Sequence, residues 1–233
     1  TYDEMIHTGF LAYQSPWEFV AERFHCDEAL LRKHNPEIRS LPNAGTVFHV
    51  PNVEPFQIEH AFDAPLQPTA DPEHKITAVI TELNRIEIRR DDQFLALMPL
   101  ATARPGLRGK GTWTVLDAIP RPRLATRHEL KDPPKPPSAG LTDTVPVATP
   151  VPDPVLEKDE YLPPGPNNTI GILWLNLAKT GEKDPLPYGL HGTDIPAQMT
   201  TLTGLGGFRL TNWDIARAVR LLPPGTPITW KLK

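Results

Sequence analysis

Apolar residues recur at helical spacing near the start of the chain. Trp17, Val20, Ala21 and Phe24 fall on one face of a helix. Ser15-Pro16-Trp17-Glu18 precedes that face and reads as a helix start. The Ser15 hydroxyl can accept from an early backbone N–H, Pro16 lacks the N–H that would be orphaned, and Glu18 can close a capping box. A second helix is expected from about Asp27, carrying Leu30, Leu31 and His34, and stopping at Asn35-Pro36. Proline disfavours helical geometry in the residue before it. Gly9–Tyr13 is a short apolar run of strand length, and Thr46–Val50, after the Asn43-Ala44-Gly45 turn, predicts a closing strand ended by Pro51. Residues 1–53 are therefore expected to form a small α+β unit in the order strand, helix, helix, strand.

Prolines 55, 65, 68 and 72 mark residues 54–74 as a semi-rigid linker. The period then changes to two. Ile76–Leu83, Arg85–Arg90 and Gln93–Pro99 predict three strands, and Ile86 and Ile88 alternate with Glu87 and Arg89 as on a sheet with one wet face. Gly109–Val115 leads into another strand. Residues 119–166 are dense in proline and predict a long insertion that builds no core of its own. Thr211, with Asp214 three residues on, caps a last helix whose buried stripe is Ile215, Val219 and Leu222. Pro223-Pro224-Gly225 ends that helix, and residues 228–233 form a final strand. No internal repeat is evident.

The length of 233 residues suits one medium domain plus a small one. A net charge of −4 offers no basic patch to nucleic acid. No apolar run reaches the length of a membrane-spanning helix. The chain begins at Thr1 without a signal-peptide pattern and is read as processed or trimmed, any targeting segment having been removed. Cys26 is the single cysteine, so no intrachain disulfide can form, and it reads as a small buried hydrophobe. His7, His25, His34, His49, His60, His74 and His128 lack metal-ligand spacing, so neither metal nor cofactor is expected. Gly204-Leu205-Gly206-Gly207 is followed by Phe-Arg rather than Lys-Ser/Thr, so it reads as a permissive turn and not a phosphate loop. Thr200, Thr201 and Thr203 read as hydrogen-bonding loop residues.

Gly109–Val115, then Pro163–Gly171 with Trp174, then Tyr188–Thr193 with Gly206, Phe208 and Arg209 resemble in that order three segments of the L,D-transpeptidase (YkuD-type) catalytic domain, which cross-links peptidoglycan. Gly109–Val115 is similar to the family's Pro-x-Gly-x-aromatic-x-Val strand. Pro163–Gly171 followed by Trp174 is similar to its Pro-Gly-x-Asn-Pro-hydrophobic-Gly segment, with Thr169 in place of a proline. Tyr188-Gly-Leu-His-Gly-Thr, continued by Gly206, Phe208 and Arg209, is similar to its HGT and Ser/Thr-His-Gly-Cys-hydrophobic-Arg segments. The resemblance runs over residues 75–233 and implies a mainly β fold, a sandwich or collapsed barrel with the last helix beside the active-site groove.

It further implies roles by position. Gly207 stands at the nucleophile, His191 at the base, the main chain of Leu205–Gly207 at the oxyanion hole, and Arg209 behind the nucleophile. Tyr188, Gly192, Thr193, Leu205 and Gly206 would line the substrate groove. The family's chemistry needs a thiolate, and glycine has no side chain to supply one. Residues 1–53 resemble a lysin motif (LysM), a module that binds N-acetylglucosamine polymers, through Ser15–Phe24, Leu30–Pro36 and Leu41–Pro51. Together these resemblances imply a cell-envelope protein, exported or periplasmic, that binds peptidoglycan through both halves and does not acylate. The alternatives are an active L,D-transpeptidase whose cysteine was removed by engineering or whose nucleophile lies elsewhere, and a non-catalytic envelope scaffold.

Overall fold

The computed structural model describes residues 2–81, 84–102, 111–126, 160–199 and 206–230. Strands β1 (Ile76–Thr81), β2 (Arg85–Arg90) and β3 (Gln93–Pro99) form an antiparallel meander in which Ile80 sits opposite Ile86. The expected alternation holds: Ile86 and Ile88 are fully buried while Arg85 and Arg90 are exposed. Eight further strands follow: β4 (Ala101–Thr102), β5 (Thr112–Pro120), β6 (Leu124–Thr126), β7 (Glu160–Leu162), β8 (Leu173–Lys179), β9 (Gly189–His191), β10 (Gly207–Arg209) and β11 (Pro227–Trp230). Nine strands make one mixed sheet in the order β3-β2-β1-β11-β5-β8-β9-β10-β4.

The two edges of that sheet, β3 and β4, are separated in the chain by Leu100 alone. A sheet whose opposite edges are joined by one residue has to curl until they meet, which makes a nearly closed barrel. Leu100 is buried at this seam, and its N–H donates to Asn84 O at 2.8 Å.

Helix α4 (Asn212–Leu221) lies on β8 and β9, with Ile215, Ala218 and Val219 buried. Its expected cap is present: Thr211 Oγ1 accepts from the Asp214 N–H at 3.3 Å and donates to Asp214 Oδ2 at 2.9 Å. Thr211→Ala is expected to cost about 1 kcal/mol in equilibrium denaturation. A loss indistinguishable from zero would show that water replaces the cap.

The N-terminal unit contains α1 (Tyr2–Ile6), which the sequence did not suggest, together with the expected α2 (Pro16–Arg23) and α3 (Glu28–His34). Ser15 caps α2 as read, and Asp27, near the expected start of α3, caps α3 through its side chain. The two strands expected here are not formed: neither Gly9–Tyr13 nor Thr46–Val50 joins a sheet. Their backbone groups bond elsewhere. Leu11 N–H donates to Pro164 O at 2.8 Å, and Leu11 O accepts from Asn167 N–H at 3.2 Å. The Asn35 side chain takes both backbone groups of His49, accepting from its N–H at 2.6 Å and donating to its O at 2.9 Å. The strand-helix-helix-strand expectation is thus corrected to a helical unit held by side chains around Trp17, Ala21, Cys26 and Leu31.

The stretch 54–74 packs along the barrel. Phe56, Ile58, Phe62 and Leu66 rest on the main core, and Gln67 Nε2 donates to Leu222 O at 2.9 Å. The insertion leaves the barrel at the end of β5, where β6 pairs with β7 in a two-stranded ribbon. Residues 127–159, most of the insertion, lie outside the described residues.

Candidate functional site

Strand β9 runs between β8 and β10 and carries His191 into the interior, where it is 1% exposed. Its Nδ1 lies 2.7 Å from Gly192 O. A carbonyl can only accept, so Nδ1 carries the proton, and in the neutral tautomer the lone pair then falls on Nε2. Trp174 on β8 stacks on the imidazole, with centroids 5.3 Å apart and planes 10° apart. The indole is oriented in turn, since its Nε1 donates to Asn176 Oδ1 at 2.8 Å and Asn176 Nδ2 donates to Asp117 Oδ1 at 3.1 Å.

Strand β10 lies parallel to β9, placing Gly207 beside Gly189 and Arg209 beside His191. Gly206 has φ +84°, and a Cβ there would fall 2.5 Å from His191 Nε2 and 3.0 Å from the Trp174 ring. A side chain at 206 would therefore collide with the base end of the imidazole. Gly207 has φ +117°, and a Cβ there would point at Tyr188, 2.8 Å from its Cβ, with Gly189 O at 3.1 Å. Of the two glycines, it is 206 whose side-chain direction meets the histidine. Tyr188 is half-buried, and its hydroxyl accepts from Trp113 Nε1 at 3.0 Å.

Arg209 is buried, and its Nη2 donates to Gln198 O at 2.8 Å. Burial pulls its guanidinium pKa down, and the Asp194 carboxylate offsets part of that. Asp194 is pushed up by burial, against its own backbone N–H, the Arg209 charge and a bond from Thr193. Thr193 is buried, and its Oγ1 accepts from Ile195 N–H at 3.2 Å. Gly192 is closed in as well, because a Cβ would run into Asn212 Oδ1. Leu205 lies outside the described residues, as do Gly204, Thr200, Thr201 and Thr203.

His191, Gly206, Gly207, Arg209 and Tyr188 are thus brought together on β9, β10 and the turn before β9, while Cys26 lies in the N-terminal unit. There its thiol donates to Ala21 O at 3.6 Å, and burial raises its pKa. Sequence reading missed Asp194, Gln198 and Asn212. None carries a motif signal, and Asn212 looked like an ordinary first-turn residue. A cleft of about 600 Å³ separates α2 and α3 from the Asp194–Ala197 turn, and Glu18, Glu22, Asp27, Glu28 and Arg32 contribute to its wall. Among the described residues, no group of three or more His, Cys, Asp or Glu is placed to hold a metal ion.

No family model matches the chain. Over 64 residues, 28% of its length, it is 33% identical to "Putative L,D-transpeptidase YkuD" of Bacillus subtilis (strain 168), covering 35% of that protein. Over 66 residues it is 30% identical to the protein of the same name in Bacillus licheniformis, covering 36% of it. The chain therefore spans about a third of the length of these curated relatives. Among solved structures, an L,D-transpeptidase from Mycobacterium smegmatis aligns over 68% of this chain and 59% of its own, at 14% identity and TM-score 0.41. L,D-transpeptidase 1 of Mycobacterium tuberculosis aligns over 68% and 63%, at 11% identity and TM-score 0.37. It is the sequence similarity to the two YkuD proteins that supports kinship of this chain with the YkuD-type L,D-transpeptidases.

Proposed function

We propose that this chain is a cell-envelope protein that binds peptidoglycan and does not acylate it, with a stem peptide held near His191 and glycan held by the LysM-like N-terminal unit. The observation that carries the non-acylating reading is that the position whose side-chain direction meets His191 Nε2 is a glycine, Gly206, in a chain whose single cysteine is buried in the N-terminal unit. A thioester needs a thiolate within reach of the base, and neither Gly206 nor Gly207 has a side chain to provide one. In a serine protease, loss of the nucleophile lowers turnover about a million-fold, and a loss of that order is expected here. Affinity can survive such a loss, because contacts to the unreacted ligand do not depend on the attacking atom.

The test is co-sedimentation of the full chain with purified sacculi, paired with incubation on disaccharide tetrapeptides followed by mass spectrometry. Pelleting with the wall and no cross-linked dimer is expected. Cross-linked product would overturn the non-acylating reading, and failure to pellet would overturn wall binding.

A further inference from the structure

Glu22 on α2 is 5% exposed, at the joint between the N-terminal unit and the barrel. Its Oε1 accepts from the Tyr13 hydroxyl at 2.8 Å and its Oε2 from Asn212 Nδ2 at 3.1 Å. Asn212, the first residue of α4, also donates to Pro166 O at 3.3 Å and accepts from Ile172 N–H at 3.2 Å through Oδ1. That oxygen abuts Gly171 and Gly192, and Gly192 O receives the His191 Nδ1 proton. A continuous run of bonded and close-packed groups thus leads from Tyr13 through Glu22 and Asn212 to the imidazole. The rest of the joint comprises the Leu11 bonds to Pro164 and Asn167 and a His25–Trp213 stack at 5.3 Å.

Both hydrogen-bond partners of Glu22 are neutral, and the neighbouring charge acting on it is another carboxylate, Glu18, one turn earlier on α2. The segment 163–168 carries no titratable side chain; its Pro166 O faces Asn212 and the Asn167 side chain bonds Glu18, while α4 adds Asp214, which is bonded to Thr211. Across the cleft stands Asp194 from the turn after β9, and Asp27, Glu28 and Arg32 from α3 and its cap line the same wall as α2. A buried carboxylate supported this way is more stable as the neutral acid.

We propose that Glu22 is a proton-operated latch that holds the N-terminal unit on the barrel while protonated, and that through Asn212 it positions the His191 ring. Burial raises the Glu22 carboxyl to about 7, against the bonds from Tyr13 and Asn212. In the undocked unit the carboxyl meets water and returns towards its ordinary value of 4.5. The docked state therefore holds the proton more tightly. Its advantage is complete below the undocked pKa and is lost as pH rises through about 7. Across that window the docking equilibrium weakens on the order of a hundredfold. Glutamine imitates the protonated acid, since its Nε2 can donate to the Tyr13 oxygen and its Oε1 can accept from Asn212. Alanine strands both partners.

The experiment follows the Asn212 side-chain amide, the Ile172 amide and the His191 ring nitrogens by NMR from pH 4 to 9, in the full wild-type chain, E22Q and E22A. Proteolysis within residues 9–13 is compared between wild type and E22Q at each pH. Wild type should show all three probes moving with a midpoint near 7. Cleavage relative to E22Q should rise by one to two powers of ten, by the linkage above. E22Q should lose the shared transition and stay docked, while E22A should be cleaved readily at every pH. A transition that persists in E22Q would assign the switch to another group, His25 first, and overturn the proposal. Absence of the transition in wild type would overturn it equally. None of these readouts involves wall binding, so the latch and the proposed function can fail separately.

Discussion

Phe208→Ala is expected to destabilise the barrel by about 3–5 kcal/mol, the range for emptying a fully buried aromatic site. Phe208 is 0% exposed and lies midway along β10, paired with Leu190 of β9 and Thr102 of β4. Its ring meets Trp113 edge-on at 5.0 Å and Tyr188 at 6.3 Å, and it tilts against Trp230 at 6.0 Å. Those neighbours come from β5, β11 and the turn before β9, so one deletion unsupports three parts of the wall. None of them can move in freely, because Trp113 is bonded to the Tyr188 hydroxyl and two of the three sit in laddered strands. Guanidinium denaturation read by tryptophan fluorescence measures the loss. Phe208→Leu serves as the control, since it keeps most of the volume and should cost about 1.5 kcal/mol or less. Equal, small losses for both variants would show that the ring does not fill the barrel.

Features legible in the sequence were those whose cause is local. The Thr211–Asp214 cap, the Ser15 cap, the helix start near Asp27 and the Ile86/Ile88 alternation depend on residues within a turn or a strand, and each appears where the pattern put it. What distinguishes a strand from an extended segment is its partner, and that is not local. Leu11 bonds to Pro164 and Asn167, far along the chain, while His49 is claimed by the side chain of Asn35. In the stretch 54–74 the prolines dominate the pattern. Phe56, Ile58, Phe62 and Leu66 recur at spacings of two and four, but Pro55, Pro65 and Pro68 interrupt any continuous helix or strand there, so the spacing did not announce their burial against the barrel.

The candidate site was legible in the same uneven way. His191, Gly207 and Arg209 could be placed on a motif, but side-chain direction at 206 and 207 follows from positive φ at both, which residue types do not reveal. The Glu22–Asn212 bond spans 190 residues. A glutamate on a helix and an asparagine in a first helical turn are ordinary surface choices, and only the docking of α2 near α4 makes them interior.

Gly171→Ala should cost roughly 3 kcal/mol or more, from two independent sources. The first is conformational: Gly171 has φ +65°, where an L side chain is strained by about 1 kcal/mol. The second is steric, since an added Cβ would run into Asn212 Oδ1 and lie 2.5 Å from both the Cα and the carbonyl carbon of Gly192. Gly192 is held by its N–H bond to Leu173 O at 3.2 Å, so its backbone cannot retreat without breaking the turn that follows His191. Moving Asn212 instead removes the acceptor of the Ile172 N–H and pulls Nδ2 from Glu22 and Pro166 O, and a buried group left unpaired costs about 1–3 kcal/mol. Gly181→Ala separates the two sources. Gly181 has φ +86° with nothing within 4 Å of an added Cβ, so that variant carries the backbone strain alone. Chemical denaturation of both should place Gly171→Ala below Gly181→Ala by about 2 kcal/mol, and the His191 ring nitrogens should shift only in the former. Equal losses would mean that Gly171, Gly192 and Asn212 are not in close contact, and the path from Glu22 to His191 would lose its middle step.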